Sequence, residues 1–115
     1  MSGRISVSPK EFRTFDGITF DSKAEMNRYA ELLMLQRSRV IRELELQPEF
    51  VLVDPFQHPL LGKCRGMKYV ADFRYRERGG YVVEDVKGHV TEVYRIKRML
   101  LLHKYPDLNF KEIKA

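Results

Sequence analysis

Two runs that read as β-strands flank Gly79-Gly80, and each carries an aspartate among apolar residues. The first, Met67 to Arg76, contains Val70-Ala71-Asp72-Phe73; the second, Tyr81 to Lys87, contains Val82-Val83-Glu84-Asp85-Val86-Lys87. A diglycine between aromatic and β-branched runs predicts a hairpin, which makes the two strands antiparallel neighbours. Acidic residues are poor strand formers, and a conflict between local propensity and fold collects at functional sites. Side chains alternate along a strand, so Asp85 and Lys87 share one face and Glu84 and Val86 the other. Glu84 is therefore left out of the candidate site. Across the hairpin Asp72 comes near Asp85, and like charges at that range destabilise a sheet. A divalent cation resolves the repulsion. Two carboxylates and a backbone carbonyl, that of Val86, form a hard oxygen site suited to magnesium or manganese. Lys87 points into the same cleft, where it can orient or deprotonate a water, or stabilise charge on a phosphate.

The rest of the chain supplies a frame for this hairpin. Residues 1–13 are polar and aperiodic and predict a flexible arm. Thr14 to Phe20 predicts a short hairpin turning at Asp16-Gly17, a dipeptide that readily adopts positive φ. Ser22-Lys23-Ala24-Glu25 is a capping-box pattern opening a helix over 22–38, with Met26, Tyr29, Ala30 and Leu33 at helical spacing. From Leu44 the period becomes two: Leu44, Leu46, Phe50 and Leu52 alternate along a strand, with Pro48 marking an edge or bulge. Residues 54–66 hold two prolines and two glycines and predict a mobile loop. After Gly88, Thr91 or Glu92 opens a second helix, with Val93, Ile96, Leu100 and His103 or Lys104 along one stripe. Pro106 ends it, and Leu108 to Ile113 reads as a last strand. The order is helix, three antiparallel-connected strands, helix, strand, in one domain over 1–115.

Composition narrows the class. The chain has 115 residues, 43% of them hydrophobic and 32% charged, which suits a packed core beneath a solvated surface rather than a disordered chain. No apolar run approaches the roughly 20 residues that span a bilayer, and no secretory signal pattern opens the sequence. Cys64 is alone, which excludes an internal disulfide framework and a multi-cysteine zinc site. A cytoplasmic protein is the expectation. Residues 1–59 carry eight basic and nine acidic side chains, whereas 60–115 carry thirteen basic and seven acidic, so the formal charge of +5 comes from the second half. A clustered positive field attracts polyanions, nucleic acid foremost, although a basic surface also serves solubility alone.

Asp72 followed by Asp85-Val86-Lys87 resembles the PD-(D/E)XK nuclease signature, and the element order resembles its restriction endonuclease-like core. The stretch from Phe15 to Ile113, with Leu44–Phe50 and Tyr69–Tyr75 within it, resembles a small phage-associated branch related to archaeal-type Holliday junction resolvases. Ala71 stands where the signature has proline, a residue that shapes the turn and contributes no chemistry. The resemblance implies an α/β fold with an α-β-β-β-α-β core, a mixed central sheet flanked by helices. It also implies a magnesium- or manganese-dependent phosphodiesterase acting on DNA in a bacterial or phage-infected cell. The first helix of that superfamily often supplies an acidic residue, and Glu25 stands where it would. As the third residue of a capping box, Glu25 is equally explained by a bond back to Ser22. Gln47, beside Pro48, occupies a place where related nucleases often keep a polar residue; a hydrogen-bonded core glutamine is the alternative.

Tyr94, Arg95, Lys97 and Arg98 follow the motif directly. A charge run on a helix is usually a solvated face, but beside a phosphodiester site Lys97 and Arg98 are placed to hold phosphate oxygens, with Tyr94 adjacent to the site. Lys63 and Arg65 in the 54–66 loop are further DNA-contact candidates, unless the loop is a disordered insertion. His58, His89 and His103 show no metal-ligand spacing, and an exposed loop position is the better account of His89. The leading hypothesis is a structure-selective endonuclease for branched DNA, because so short a chain leaves little room for a base-reading element. It is expected to dimerise, since cutting two strands symmetrically needs two sites. The competing hypotheses are a non-enzymatic nucleic-acid-binding protein and a sequence-specific restriction or replication-linked nuclease.

Overall fold

The computed structural model describes residues 8–115. The predicted arm over 1–13 thus lies partly outside the described residues, and its last four, Lys10–Arg13, form a 3-10 turn instead. The first hairpin is as expected: β1 (Thr14–Phe15) pairs with β2 (Ile18–Thr19) across Asp16 and Gly17, with φ of 57° and 76°. Helix α1 (Lys23–Arg37) begins at Ser22, whose side chain accepts from the Glu25 N–H. Its buried stripe is Glu25, Tyr29 and Leu32 rather than a purely apolar one.

Where the sequence predicts one strand from Leu44 to Val53, the chain makes two, β3 (Arg42–Leu46) and β4 (Glu49–Val53). Gln47 breaks them with φ of 52°, and Pro48, lacking an N–H, cannot continue the ladder. The Met67–Arg76 run is likewise broken, into β7 (Met67–Val70) and β8 (Phe73–Glu77). The two breaks lie side by side. Gln47 N–H donates to the Asp72 carbonyl at 2.9 Å, and Ala71 N–H to that of Pro48 at 3.0 Å. Beyond them β4 pairs with β7 in a two-stranded arm. The segment 54–66, expected as a mobile loop, continues the arm as the hairpin β5 (Phe56–His58) and β6 (Gly62–Cys64). Gly66 lets the arm close, because a Cβ there would stand 2.2 Å from the Val53 carbonyl oxygen.

β9 (Gly80–Lys87) follows β8 through a two-residue turn at Arg78-Gly79, one residue earlier than the Gly79-Gly80 turn expected from the sequence, and is followed by α2 (Glu92–Lys104) and β10 (Asn109–Lys114). The main sheet has the order β10-β9-β8-β3, with β10 parallel to β9 and the other pairs antiparallel. The protein is thus a mixed α/β fold with a mixed sheet and two helices. Alternation along β9 divides the core in two. Val82 packs with Phe73, Tyr75 and the α1 residues Tyr29 and Leu32. Val83 joins Leu101 of α2 and the arm residues Phe50, Leu52 and Tyr69. The stripe predicted for the second helix is rotated: Val93 and Ile96 are exposed, while Leu101 is buried and Tyr94, Leu100 and Tyr105 pack beside it. Helical periodicity is satisfied by either stripe, and the aromatic residues won because two tyrosines can bury their rings and keep their hydroxyls bonded. No described helix is long and apolar enough to cross a membrane.

Candidate active site

The break between β7 and β8 frees the backbone around Asp72 from regular pairing, and the site is built on it. Asp72 N–H donates to the Asp85 carboxylate at 3.0 Å and to the Glu84 carbonyl at 3.1 Å. In return the Asp72 carboxylate accepts from Val86 N–H at 2.7 Å. The two aspartates are therefore stitched across the hairpin through each other's backbone, as neighbours across the strand pair. Asp85 is almost wholly buried, and its second oxygen accepts from the Tyr69 hydroxyl.

Glu25 reaches the same place from α1. Half of the expected capping box forms, since Ser22 Oγ accepts from Glu25 N–H at 3.1 Å. Among the described residues, the Glu25 carboxylate accepts no hydrogen bond although the residue is only 8% exposed. Glu25, Asp72, Val86 and Lys87 line one cavity of about 740 Å³, with Asp21 and His89 on its wall. Glu25, Asp72 and Asp21 also line a smaller one of about 200 Å³ together with Gln47. Asp85 lines neither; it lies behind Asp72, held by Tyr69.

Electrostatics follow from this crowding. Burial first, and then the charges of Asp72, Asp21 and Asp85, push the Glu25 carboxyl up to about 7 against the opposing charge of Lys87. Burial also lifts Asp72 and Asp85 above the usual carboxylate range. For Asp85 the Tyr69 bond counters that rise, and Asp72 adds to it. Lys87 Nζ lies 4.7 Å from the Tyr94 ring centroid, a cation–π contact that holds its charge at the cleft.

An acidic cleft, with Lys23 and Lys87 also on its wall, fits a hard divalent cation in its donor chemistry: carboxylate oxygens that repel one another, among them those of Glu25, which have no hydrogen-bond partner among the described residues. Among the described residues, however, no three His, Cys, Asp or Glu side chains already stand as a metal-holding group. Both Asp85 oxygens are engaged, one by the Tyr69 hydroxyl and the other by the Asp72 N–H.

The other candidates separate. Gln47 stands beside Glu25 and Asp72, and His89, exposed in its loop as expected, also lines the larger cavity. Arg98 is not free to grip phosphate: it pairs with Glu112, to which Tyr94 also donates at 2.6 Å, and stacks on the Tyr94 ring at 5.2 Å. Lys97 is half-buried on α2 outside the cavity. Lys63 and Arg65 are exposed on the distal arm, outside the lining of the cleft, beside a separate hollow with Phe56 and Cys64.

Sequence reasoning missed three contributors. Asp21, the residue before the Ser22 cap, carried no signal beyond its charge. Tyr69 was legible only as a strand aromatic. Glu84 does face away from Asp85, but it is fully buried: the Arg28 guanidinium forks onto both its oxygens at 2.7 Å, and Tyr75 donates to it at 2.6 Å. The i, i+3 spacing of Glu25 and Arg28 puts the cleft carboxylate and the Glu84 partner on neighbouring positions of one helix.

Comparison with curated proteins finds no match. The model of a family described as "Protein of unknown function (DUF1064)" matches residues 10–115, and the chain belongs to that family.

Proposed function

We propose that this protein is a metal-dependent endodeoxyribonuclease with a restriction endonuclease-like core, selective for branched DNA such as four-way junctions. The observation that carries the reading is the convergence of Glu25, Asp72 and Lys87 on one cavity, with Asp85 bonded to the Asp72 backbone directly behind it. The order α1, β3, β8, β9, α2, β10 supports the same reading, with the arm inserted between β3 and β8.

Asp72 and Glu25, with the Val86 carbonyl, would hold magnesium or manganese, and Asp85 would join them only on release of its bond from Tyr69. When bound, the ion supplies Lewis-acid polarisation of the scissile phosphate and of the attacking water. The protein's own groups do the rest. Lys87 brings a positive charge to the cleft, where it stabilises the negative charge that develops on phosphate. Glu25, held at about 7, is poised to take up or release a proton near neutrality. Asp85 fixes the Asp72 backbone, so that the Asp72 carboxylate stays aimed into the cavity. Two cuts across a junction need two clefts, so the working unit is a homodimer.

The test is a cleavage panel of plasmid, duplex, single-strand, flap and four-way DNA, each with and without magnesium or manganese. The wild type is expected to cut the four-way substrate best, and only with metal. Asp72→Ala and Lys87→Ala are each expected to lower that rate at least about 100-fold. Absence of metal-dependent cleavage on every substrate would overturn the reading, and undiminished cleavage in both variants would overturn the site.

A further inference from the structure

At two positions the chain carries arginine where backbone physics favours glycine or asparagine. Arg39 follows the last turn of α1 with φ of 66°, and Arg78 opens the β8–β9 turn with φ of 51°. A Cβ is disfavoured in this left-handed region, so a long charged side chain at both places has to be explained by something other than the turn. Both arginines line the same cavity of about 560 Å³, joined there by Arg42 and Arg76. The cavity forms where the α1–β3 connection meets the β8–β9 turn, so the four residues converge from two distant stretches of sequence.

Its charge is unbalanced. Glu43 is the acidic residue on the wall, 3.7 Å from Arg42 Nε and 3.6 Å from an Arg76 terminal nitrogen. Among the described residues, Arg39 and Arg78 have no carboxylate partner, and the buried Nε of Arg76 has no hydrogen-bond partner. Four guanidinium groups facing one acid leave many donors unused. Guanidinium forks match phosphate oxygens in geometry and charge.

We propose that this cavity grips phosphates of a nucleic-acid backbone, as an anchoring point separate from the acidic cleft; the proposal rests on the reading of the protein as a DNA nuclease. The cavity lies at the Gly80 end of β9 and the cleft at its Lys87 end. At roughly 3.3 Å per residue the strand holds them about 23 Å apart, about seven base pairs of duplex. DNA gripped by the arginines is thus fixed well away from the bond being cut.

The test uses Arg39→Asn combined with Arg78→Asn, because asparagine tolerates the left-handed backbone and the variant should keep its fold. Binding of labelled duplex and four-way DNA is measured in EDTA over a salt series, alongside urea unfolding. The variant is expected to unfold at the same or higher urea and to bind both DNAs roughly tenfold more weakly. The slope of log affinity against log salt should fall by nearly 2, about 0.9 for each lost phosphate contact. Its single-turnover cleavage rate at saturating DNA should be unchanged. Equal affinity and slope in the two proteins would overturn the proposal, as would a wild type that binds no DNA in EDTA. If affinity and slope fall but no substrate is ever cut, the anchoring site stands and the nuclease reading fails.

Discussion

Glu25 is the residue whose two sequence readings the structure separates. Its backbone N–H serves the cap at Ser22 while its carboxylate, unpartnered among the described residues, turns to the cavity that Asp72 and Lys87 line. Because its folded-state pKa of about 7 lies above the ordinary 4.5, the native protein holds this proton more tightly than the unfolded chain. The resulting stabilisation is fully present below about 4.5 and is lost as pH rises through about 7. Urea unfolding in EDTA should therefore show wild-type stability falling more steeply than that of Glu25→Gln across that window. The difference in slope should reach at most about 1.4 kcal/mol per pH unit. Parallel curves would mean that the Glu25 carboxyl has the same pKa in the folded cleft as in the unfolded chain. Asp85 shows the limit of reading single residues: strand alternation gives its face, but nothing local says that Tyr69, sixteen positions earlier, will hold it.

At the scale of elements, α1 and β9 are locked together by an ion pair that sequence patterning hides. Strand alternation says of Glu84 only that it faces away from Asp85, and nothing beside Arg28 in the sequence names its partner. Together they form a forked pair, with the Glu84 side chain fully buried and that of Arg28 21% exposed. The fork fixes α1 against β9 one helical turn from Glu25, and so sets where that carboxylate stands relative to Asp72. Removing one partner of a buried pair strands the other charge and costs about 3–5 kcal/mol. Because Arg28 reaches water in part, Glu84→Ala should sit at the low end, near 3 kcal/mol by urea unfolding. A loss below about 1 kcal/mol would show that apolar packing alone seats the helix. The paired breaks at Gln47 and Asp72 are the other event at this scale. Pro48 signalled the first, whereas the second falls in a run that alternates well enough to be one strand, and only the partner strand's bend decides it.

The whole molecule is extended, with a radius of gyration of 16.4 Å against about 13 Å for a compact chain of this length. The arm beyond the paired breaks accounts for this shape. Phe50, Leu52 and Tyr69 anchor its base in the core, but β5 and β6 bury no residue, and Leu60 at the tip is 84% exposed. Hydrogen exchange should reflect that gradient. The amides of β5 and β6 should exchange fastest among the longer strands, and those of β8 and β9 should approach the protection of global unfolding. Equal protection in both would mean that the outer hairpin is covered in solution. Replacing Phe56–Cys64 with a short turn should then change stability by less than about 1 kcal/mol, because it removes little buried area.

Periodicity, caps and turn chemistry are local, and they determined the two helices, the Gly79-Gly80 hairpin, and the sharing of one strand face by Asp85 and Lys87. The nearness of Asp72 to Asp85 was legible as a consequence of the hairpin, but the register that sets them opposite each other came from a turn one residue earlier, at Arg78-Gly79. What tertiary structure decided is everything that depends on elements meeting from far along the chain. Such meetings paired Glu84 with Arg28. They also engaged Asp85 with Tyr69, committed Arg98 to Glu112, and brought four arginines into one cavity. Each of these is a pairing of buried or charged groups whose energy depends on the partner and not on the neighbouring sequence.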